Sequence, residues 1–206
     1  MMHVIFYIFI YGLLFLSFEI LQKNTFLSTG ATRRIIHISS ALIALSFPKY
    51  LTLGQILFIC ISFLVFLIIS KRMALLESIH KVDRKTWGEI YFPLGIAIMA
   101  LAFLPAHVKS YEIAVIIYGA SDVLSNLIGT LYGTHAFSIF KCKKTIEGSI
   151  AFFISTLAIL VIFNVGLPVA AFISLVTTLV EGISPYGSDN LTIPIVVSIL
   201  LTFIRV

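Results

Sequence analysis

Apolar runs of membrane-spanning length follow one another from residue 3 almost to the end of this chain, and nothing constrains its fold more. A hydrocarbon core roughly 30 Å thick takes about 20 apolar residues as an α-helix. Eight helices are predicted, over 3–22, 34–48, 51–70, 88–105, 111–132, 146–165, 168–183 and 192–205. Several, the second and the last among them, are short for a full crossing and suit half-buried or re-entrant segments. The expected fold is therefore all-α, a polytopic transmembrane helical bundle of about 7–8 spans, with six as the lower count. Only 11% of the 206 residues are charged, against about a quarter in soluble domains. The expectation is one integral-membrane domain over 1–206.

The first run has only His3 before it and no small-residue cleavage site, so it is read as a true span and not a signal peptide. Cys60 lies inside an apolar run and Cys142 in a basic loop, a spacing that suggests neither a metal site nor a disulfide. The loops after the first, third and fifth predicted spans receive every Lys and Arg of the 14 except Lys49, Lys109 and Arg205. Cytoplasmic loops carry the Lys/Arg excess, which places these loops in the cytoplasm and the amino terminus outside. Within "KRMALLESIHKVDRKT", Leu75, Leu76, Ile79 and Val82 fall at helical spacing among cations, the pattern of an interfacial helix on anionic headgroups.

Asp122 stands at the middle of the otherwise apolar fifth span, in "YGASDVLSNLIGTLYG". A mid-membrane carboxylate costs at least about 2.5 kcal/mol and so faces a partner or a wet cavity. At 100° per residue Asp122, Ser125, Asn126, Gly129 and Gly133 share a face. Gly129 and Gly133 also form a GxxxG, by itself a helix-packing signal. The polar stripe as a whole is expected to line a wet groove open to the cytoplasm.

The remaining polar chemistry gathers on the same side. "TRRIIH" brings Arg33, Arg34 and His37, "DRKTWGE" precedes the fourth span, and "KCKKTIEG" brings Lys143, Lys144, Thr145 and Glu147 to a helix start. "EGISPYGSDN" carries Glu181, Asp189 and Asn190. Cations and helix-start N–H groups hold phosphate, while carboxylates and an Asn suit Mg²⁺ bridging phosphates. The prediction is a metal–polyphosphate site at the membrane surface, where a soluble nucleotide meets a lipid headgroup.

In this order the motifs resemble those of the polyprenol, phytol and dolichol kinases, from about Thr32 to Pro194. "RRIIH" looks like the family's Arg-Lys-x-x-His motif, and "RKTWGEIYFPLGI" is similar to its Gly-Glu-hydrophobic-Pro segment. "SDVLSNLIGTLYG" resembles Gly-Asp-x-x-Ala-x-x-x-Gly-x-x-x-Gly, "KKTIEGS" resembles Lys-Ser/Thr-x-Glu-Gly, and "SDNLTIP" resembles Asp-Asn-x-x-x-Pro. Ser121, Ser125 and Arg34 depart from the pattern, where Gly, Ala and Lys are usual.

The resemblance implies an integral-membrane kinase-like domain that moves the γ-phosphate of CTP, with ATP as alternative donor, to an isoprenoid or other lipid alcohol, with Mg²⁺. On this reading Arg33, Arg34, Asn126, Gly129, Gly133, Lys143 and Thr145 meet the nucleotide, and Asp122, Asp189 and Asn190 the metal. Asp122, Lys144, Glu147 and His37 serve catalysis, with Asp122 either on the metal or taking the alcohol proton. The Lys-Lys-Thr-x-Glu-Gly run also resembles phosphatidate cytidylyltransferases, so nucleotidyl transfer is the rival chemistry. A small ion-coupled transporter using Asp122 is the alternative outside enzymes; it predicts an inverted repeat, and none is visible.

Overall fold

A computed structural model describes residues 1–24, 28–73, 75–76, 86–139 and 142–204. Among them are eight helices of fifteen residues or more: α1 (Met2–Asn24), α2 (Thr29–Leu45), α4 (Leu53–Arg72), α5 (Gly88–Phe103), α6 (Val108–Tyr132), α7 (Ile146–Ile162), α8 (Leu167–Ile183) and α9 (Asp189–Phe203). A single turn, α3 (Phe47–Tyr50), joins α2 to α4, and a hairpin of β1 (Ala136–Ile139) and β2 (Cys142–Thr145) joins α6 to α7. By length and composition α1, α4 and α6 can cross a membrane alone; α5, α7, α8 and α9 are apolar but shorter. Most of the interfacial stretch expected around Ile79 and Val82 lies outside the described residues, as do Lys81, Arg84, Lys85, Lys141 and Arg205.

The helix starts follow from their caps. The Ser28 hydroxyl accepts from Ala31 N–H at the head of α2, and Thr52 with Gln55 forms a capping box at α4. Thr145 accepts from Gly148 N–H to begin α7. Ser28 sets the start of α2 at residue 29, five residues before the apolar run, so "TRRIIH" is helical throughout and not a lead-in to the span.

α6 is the central element, packed against α2, α5, α7 and α9. Tyr111, Ile113, Ala114, Ile117 and Tyr118 on it are fully buried. Lipid tails are as apolar as leucine, so close packing and hydrogen bonds between helices hold such a bundle. Tyr11 and Tyr111 donate to the carbonyls of Ser40 and Ala44 at 3.0 Å, tying α1 and α6 to α2. On the other side α6 meets α7 through glycines. A side chain at Gly148 would sit 2.9 Å from the Ser125 carbonyl, and one at Gly129 would sit 2.8 Å from the Thr145 hydroxyl. Only hydrogen fits at that crossing.

The hairpin was not foreseen, since the segment reads as a loop of four-residue pieces. Its antiparallel register pairs Phe137 with Lys144 and Ser138 with Lys143. Strand side chains alternate between faces, so Lys144 turns inward while Lys143 remains exposed.

Candidate active site

The first turns of α2, α5 and α9 meet at one end of the bundle and border a polar cavity of about 370 Å³. Ser28 and Gly30 come from the first, Thr86 and Gly88 from the second, and Gly187, Asp189 and Asn190 from the third. Each helix start brings partial positive charge and N–H groups, the setting in which phosphate binds. Arg33, Arg34 and His37 enter from α2, and Asp122, Asn126 and Thr130 from α6.

The loop into α9 docks on the start of α5. Trp87 N–H donates to the Tyr186 carbonyl at 2.9 Å, and Asn190 Nδ2 donates to the Gly88 carbonyl at 2.7 Å. Gly187 has φ +84°, and a side chain there would meet Gly88 N at 2.7 Å, so glycine is required twice over. This docking keeps Asp189 and Asn190 on the cavity wall as the first residues of a helix, three residues before the predicted start at 192.

The charged groups are held by partners. Arg34 Nη1 donates to Asn126 Oδ1 at 3.0 Å. Arg33 Nη2 lies 3.9 Å from Glu89 Oε2, and Lys71 Nζ lies 2.6 Å from Glu89 Oε1. Lys71 also donates to the Thr86 carbonyl at 2.6 Å and sits 4.2 Å above the centre of the Trp87 ring. Across the cavity Lys144 Nζ bonds the buried Glu181 carboxylate and reaches Asp189 Oδ2 at 3.2 Å. Burial alone would lower the Lys144 ammonium, but Asp189, Glu181 and Asp122 outweigh it, and the net shift is upward. Lys144 is a cation at any physiological pH.

His37 packs edge-on against the rings of Tyr118 and Phe92. Its Nε2 lies 3.2 Å from the Tyr118 carbonyl oxygen. A carbonyl only accepts, so Nε2 carries the hydrogen and Nδ1 is left as the acceptor of the neutral ring.

Not every residue singled out in the sequence reaches the cavity. The polar stripe of α6 divides: Asp122 and Asn126 line the cavity, whereas Ser125 donates to Glu181 at 3.4 Å and Gly129 and Gly133 pack against Thr145. Ser125 lies about 60° around the helix from Asp122 and about 100° from Asn126, toward Glu181, while Gly129 and Gly133 keep within about 20° of Asp122 and part from it along the axis, about two and three turns further on. Thr145 is a cap, and Lys143 faces away. Glu147 binds the hairpin itself, accepting from Thr134 N–H, the Thr134 hydroxyl at 2.6 Å and His135 N–H. Hydrogen bonds from Thr134 and then His135 hold its carboxyl below the ordinary carboxylate range. Lys71 was read in the sequence only as a loop cation, and its partner Glu89 only as part of a motif. Their signal was the recurrence of a basic span end just before "TWGE".

A second cavity of about 90 Å³ adjoins the first and is mainly apolar, with Arg33, His37, Ser40, Glu89 and Asn190 as its polar lining. α1 contributes Tyr11 and Phe15 to it, α4 Ile59 and Phe63, and α5 Phe92 and Ile96. Arg33, His37, Gly88 and Asn190 line both cavities. One site thus joins a polar, phosphate-suited chamber to a greasy slot through a histidine and an asparagine.

Among the described residues no group of three or more His, Cys, Asp and Glu is placed to hold a metal by itself. Asp122, Asp189 and Asn190 do share the polar cavity. One or two carboxylates, completed by phosphate and water, are what Mg²⁺ takes from a protein.

Comparison with known proteins finds the same kinship. Over 198 residues the chain is 24% identical to a phytol kinase of Synechocystis sp., spanning 89% of this chain and 83% of that protein. Over 124 residues it is 30% identical to an uncharacterised protein of Methanocaldococcus jannaschii, spanning 59% of this chain and 60% of that one. No family model and no solved structure matches it. The similarity to a curated phytol kinase runs over nearly the whole chain and agrees with the resemblance that its motifs carry.

Proposed function

We propose that the chain transfers the γ-phosphoryl group of a nucleoside triphosphate, CTP before ATP, to the hydroxyl of a lipid alcohol at the cytoplasmic face of a membrane. The observation that carries this reading is the junction: a cavity bordered by three helix N-termini and two arginines opens beside an apolar slot, with His37 and Asn190 on both walls. The basic span ends on this side support a cytoplasmic site.

In the reaction the tail lies in the slot and the hydroxyl at the junction. The triphosphate lies along the starts of α2, α5 and α9, with Arg33 and Arg34 against its oxygens. The alcohol oxygen bonds to the γ-phosphorus, the bond from that phosphorus to the β–γ bridging oxygen breaks, and the nucleoside diphosphate leaves. The hydroxyl proton passes to His37 Nδ1, whose tautomer the Tyr118 carbonyl fixes. Lys144 holds Asp189 in place and keeps the buried charge of Glu181 paired. The carboxylates of Asp122 and Asp189, with the Asn190 amide, fit a divalent cation, which would neutralise phosphate charge as the transfer proceeds. Phosphoryl transfer depends chiefly on such positioning and electrostatics.

The test is purified protein with γ-labelled CTP or ATP and a panel of lipid alcohols. Expected products are a labelled lipid monophosphate and CDP or ADP, and Asp122→Asn should remove transfer. Full activity in that variant would unseat the proposed centre. Release of pyrophosphate with a cytidylylated lipid would point to nucleotidyl transfer.

A further inference from the structure

The apolar slot has a floor. From its junction with the polar cavity at His37 it follows one face of α2, past Ile36 and Ser40, to Phe47 at the α3 turn. Phe47 is 1% exposed and is held from behind. The Tyr7 ring meets it edge-on at 5.1 Å and the Tyr11 ring lies at 6.4 Å. Tyr7 is in turn fixed by a 2.6 Å hydrogen bond between its hydroxyl and Ser46 Oγ, one residue before Phe47. Tyr11 is fixed by its bond to the Ser40 carbonyl. This end is thus a wall of rings with both tyrosine hydroxyls satisfied, and it does not yield by a simple rotamer change.

The slot's size bears on what fills it. One water needs about 10–15 Å³ of such space, so 90 Å³ takes a single slender chain and not the paired chains of a diacyl lipid. Eight residues of α2, a rise of roughly 12 Å, and the turn at Ser46 separate His37 from Phe47, roughly 15 Å in all. With C–C bonds near 1.5 Å, an extended isoprene unit of four bonds advances roughly 5 Å, which gives about three units between junction and floor.

We infer that Phe47, backed by Tyr7 and Tyr11, is a length stop that makes this protein select single-chain alcohols of about three isoprene units over longer ones. The inference rests on the kinase reading above and deepens it. A fourth unit meets the Phe47 ring and must buckle or withdraw the hydroxyl from the junction, so the penalty falls on productive placement. Shorter tails reach the junction but leave part of the slot unfilled.

The experiment is kcat/KM of the purified, full-length protein for geraniol, farnesol, geranylgeraniol and a long polyprenol, in the wild type and in Phe47→Ala and Phe47→Leu. Wild-type efficiency should peak at farnesol and fall about ten-fold at geranylgeraniol, the size of step that a misfit in an apolar pocket produces. Phe47→Ala should raise the geranylgeraniol-to-farnesol ratio about ten-fold, with Phe47→Leu between it and wild type. Farnesol turnover reports that each variant is folded, and the wild-type series decides the matter if Phe47→Ala does not fold. A wild-type series that is flat or still rising beyond farnesol overturns the length stop while leaving the kinase reading intact. So do folded variants whose ratio is unchanged. No phosphorylation of any alcohol sinks the kinase reading itself, and the length stop with it.

Discussion

On the α4–α5 side of the polar cavity Lys71 and Arg33 converge on Glu89; on the hairpin side Glu181 and Asp189 converge on Lys144. The first cluster is two cations around one carboxylate, and the group it presents to the cavity is a cation, Arg33. The second is two carboxylates around one cation, and the group it presents is a carboxylate, Asp189. Each uses a nearly buried carboxylate as its anchor, with side-chain exposure of 6% at Glu89 and 2% at Glu181. The difference teaches a division of labour. On the proposed reading one cluster offers positive charge to phosphate and the other offers negative charge to the cation that accompanies it.

The sharpest way to break this comparison is to remove the hub of the second cluster. Lys144→Met leaves Glu181 charged, buried and unpaired, which costs about 3–5 kcal/mol of stability. It also frees Asp189, and kcat should fall by about 10²–10³ as a positioned charge is lost. Adding Glu181→Gln should recover most of the stability, measured by chemical or thermal unfolding in detergent, but not the activity. If the double variant regained both, Lys144 would serve stability alone. Because the Lys144 ammonium is shifted upward in the folded protein, its stabilisation is complete below the ordinary lysine value of 10.5 and fades only above it. Any pH dependence near neutrality must therefore have another source.

The first cluster should fail differently. Glu89→Gln keeps the shape but releases the two cations, and loss of a charge-assisted contact of about 1.5–3 kcal/mol should raise KM for the nucleotide about ten-fold or more. The change in kcat should be smaller, since on the proposed reading Arg33 meets phosphate before and during transfer. Lys71→Met should cost less, about two- to five-fold in KM, because Lys71 is further from the cavity and its Trp87 contact is worth roughly 0.5–2 kcal/mol. A kcat collapse with unchanged KM in Glu89→Gln would place Glu89 in the chemistry, and the contrast between the walls would fall.

These clusters also mark where sequence reasoning reaches its limit. Helix positions were legible from apolar run length, Asp122 and Asn126 as a polar stripe from the middle of a span, and Arg33, Arg34, His37, Asp189 and Asn190 as polar groups gathered on the same side. The partners were not. Lys144 meets Glu181 across 37 residues, and Arg33 meets Glu89 across 56, contacts that no local period encodes. Ser125, Gly129 and Gly133 fell into the same stripe as Asp122 because helical periodicity gives a face about 100° wide, while a cavity and a packing seam can lie side by side on it. The hairpin escaped because four-residue strands are too short to show alternation.

Glu147 supplies the smallest effect and the cleanest control for the two walls. It is a carboxylate at the start of α7, like Glu181 a partner of neighbouring groups, but it is partly exposed and turned toward Thr134 and His135 just before the hairpin. Those hydrogen bonds lower its carboxyl in the folded state, so the stabilisation is present above the ordinary value of 4.5 and is lost as the pH falls below it. Glu147→Gln should remove that acid dependence from the hairpin's amide hydrogen exchange while leaving KM and kcat near neutrality within about two-fold, as expected for a partly exposed group away from the reacting atoms. A large fall in kcat would mean that the carboxylate at the head of α7, and not only Lys144 on the hairpin, sets the position of Asp189. The second wall would then extend to the surface, with Thr134 and His135 ahead of β1 as part of its support.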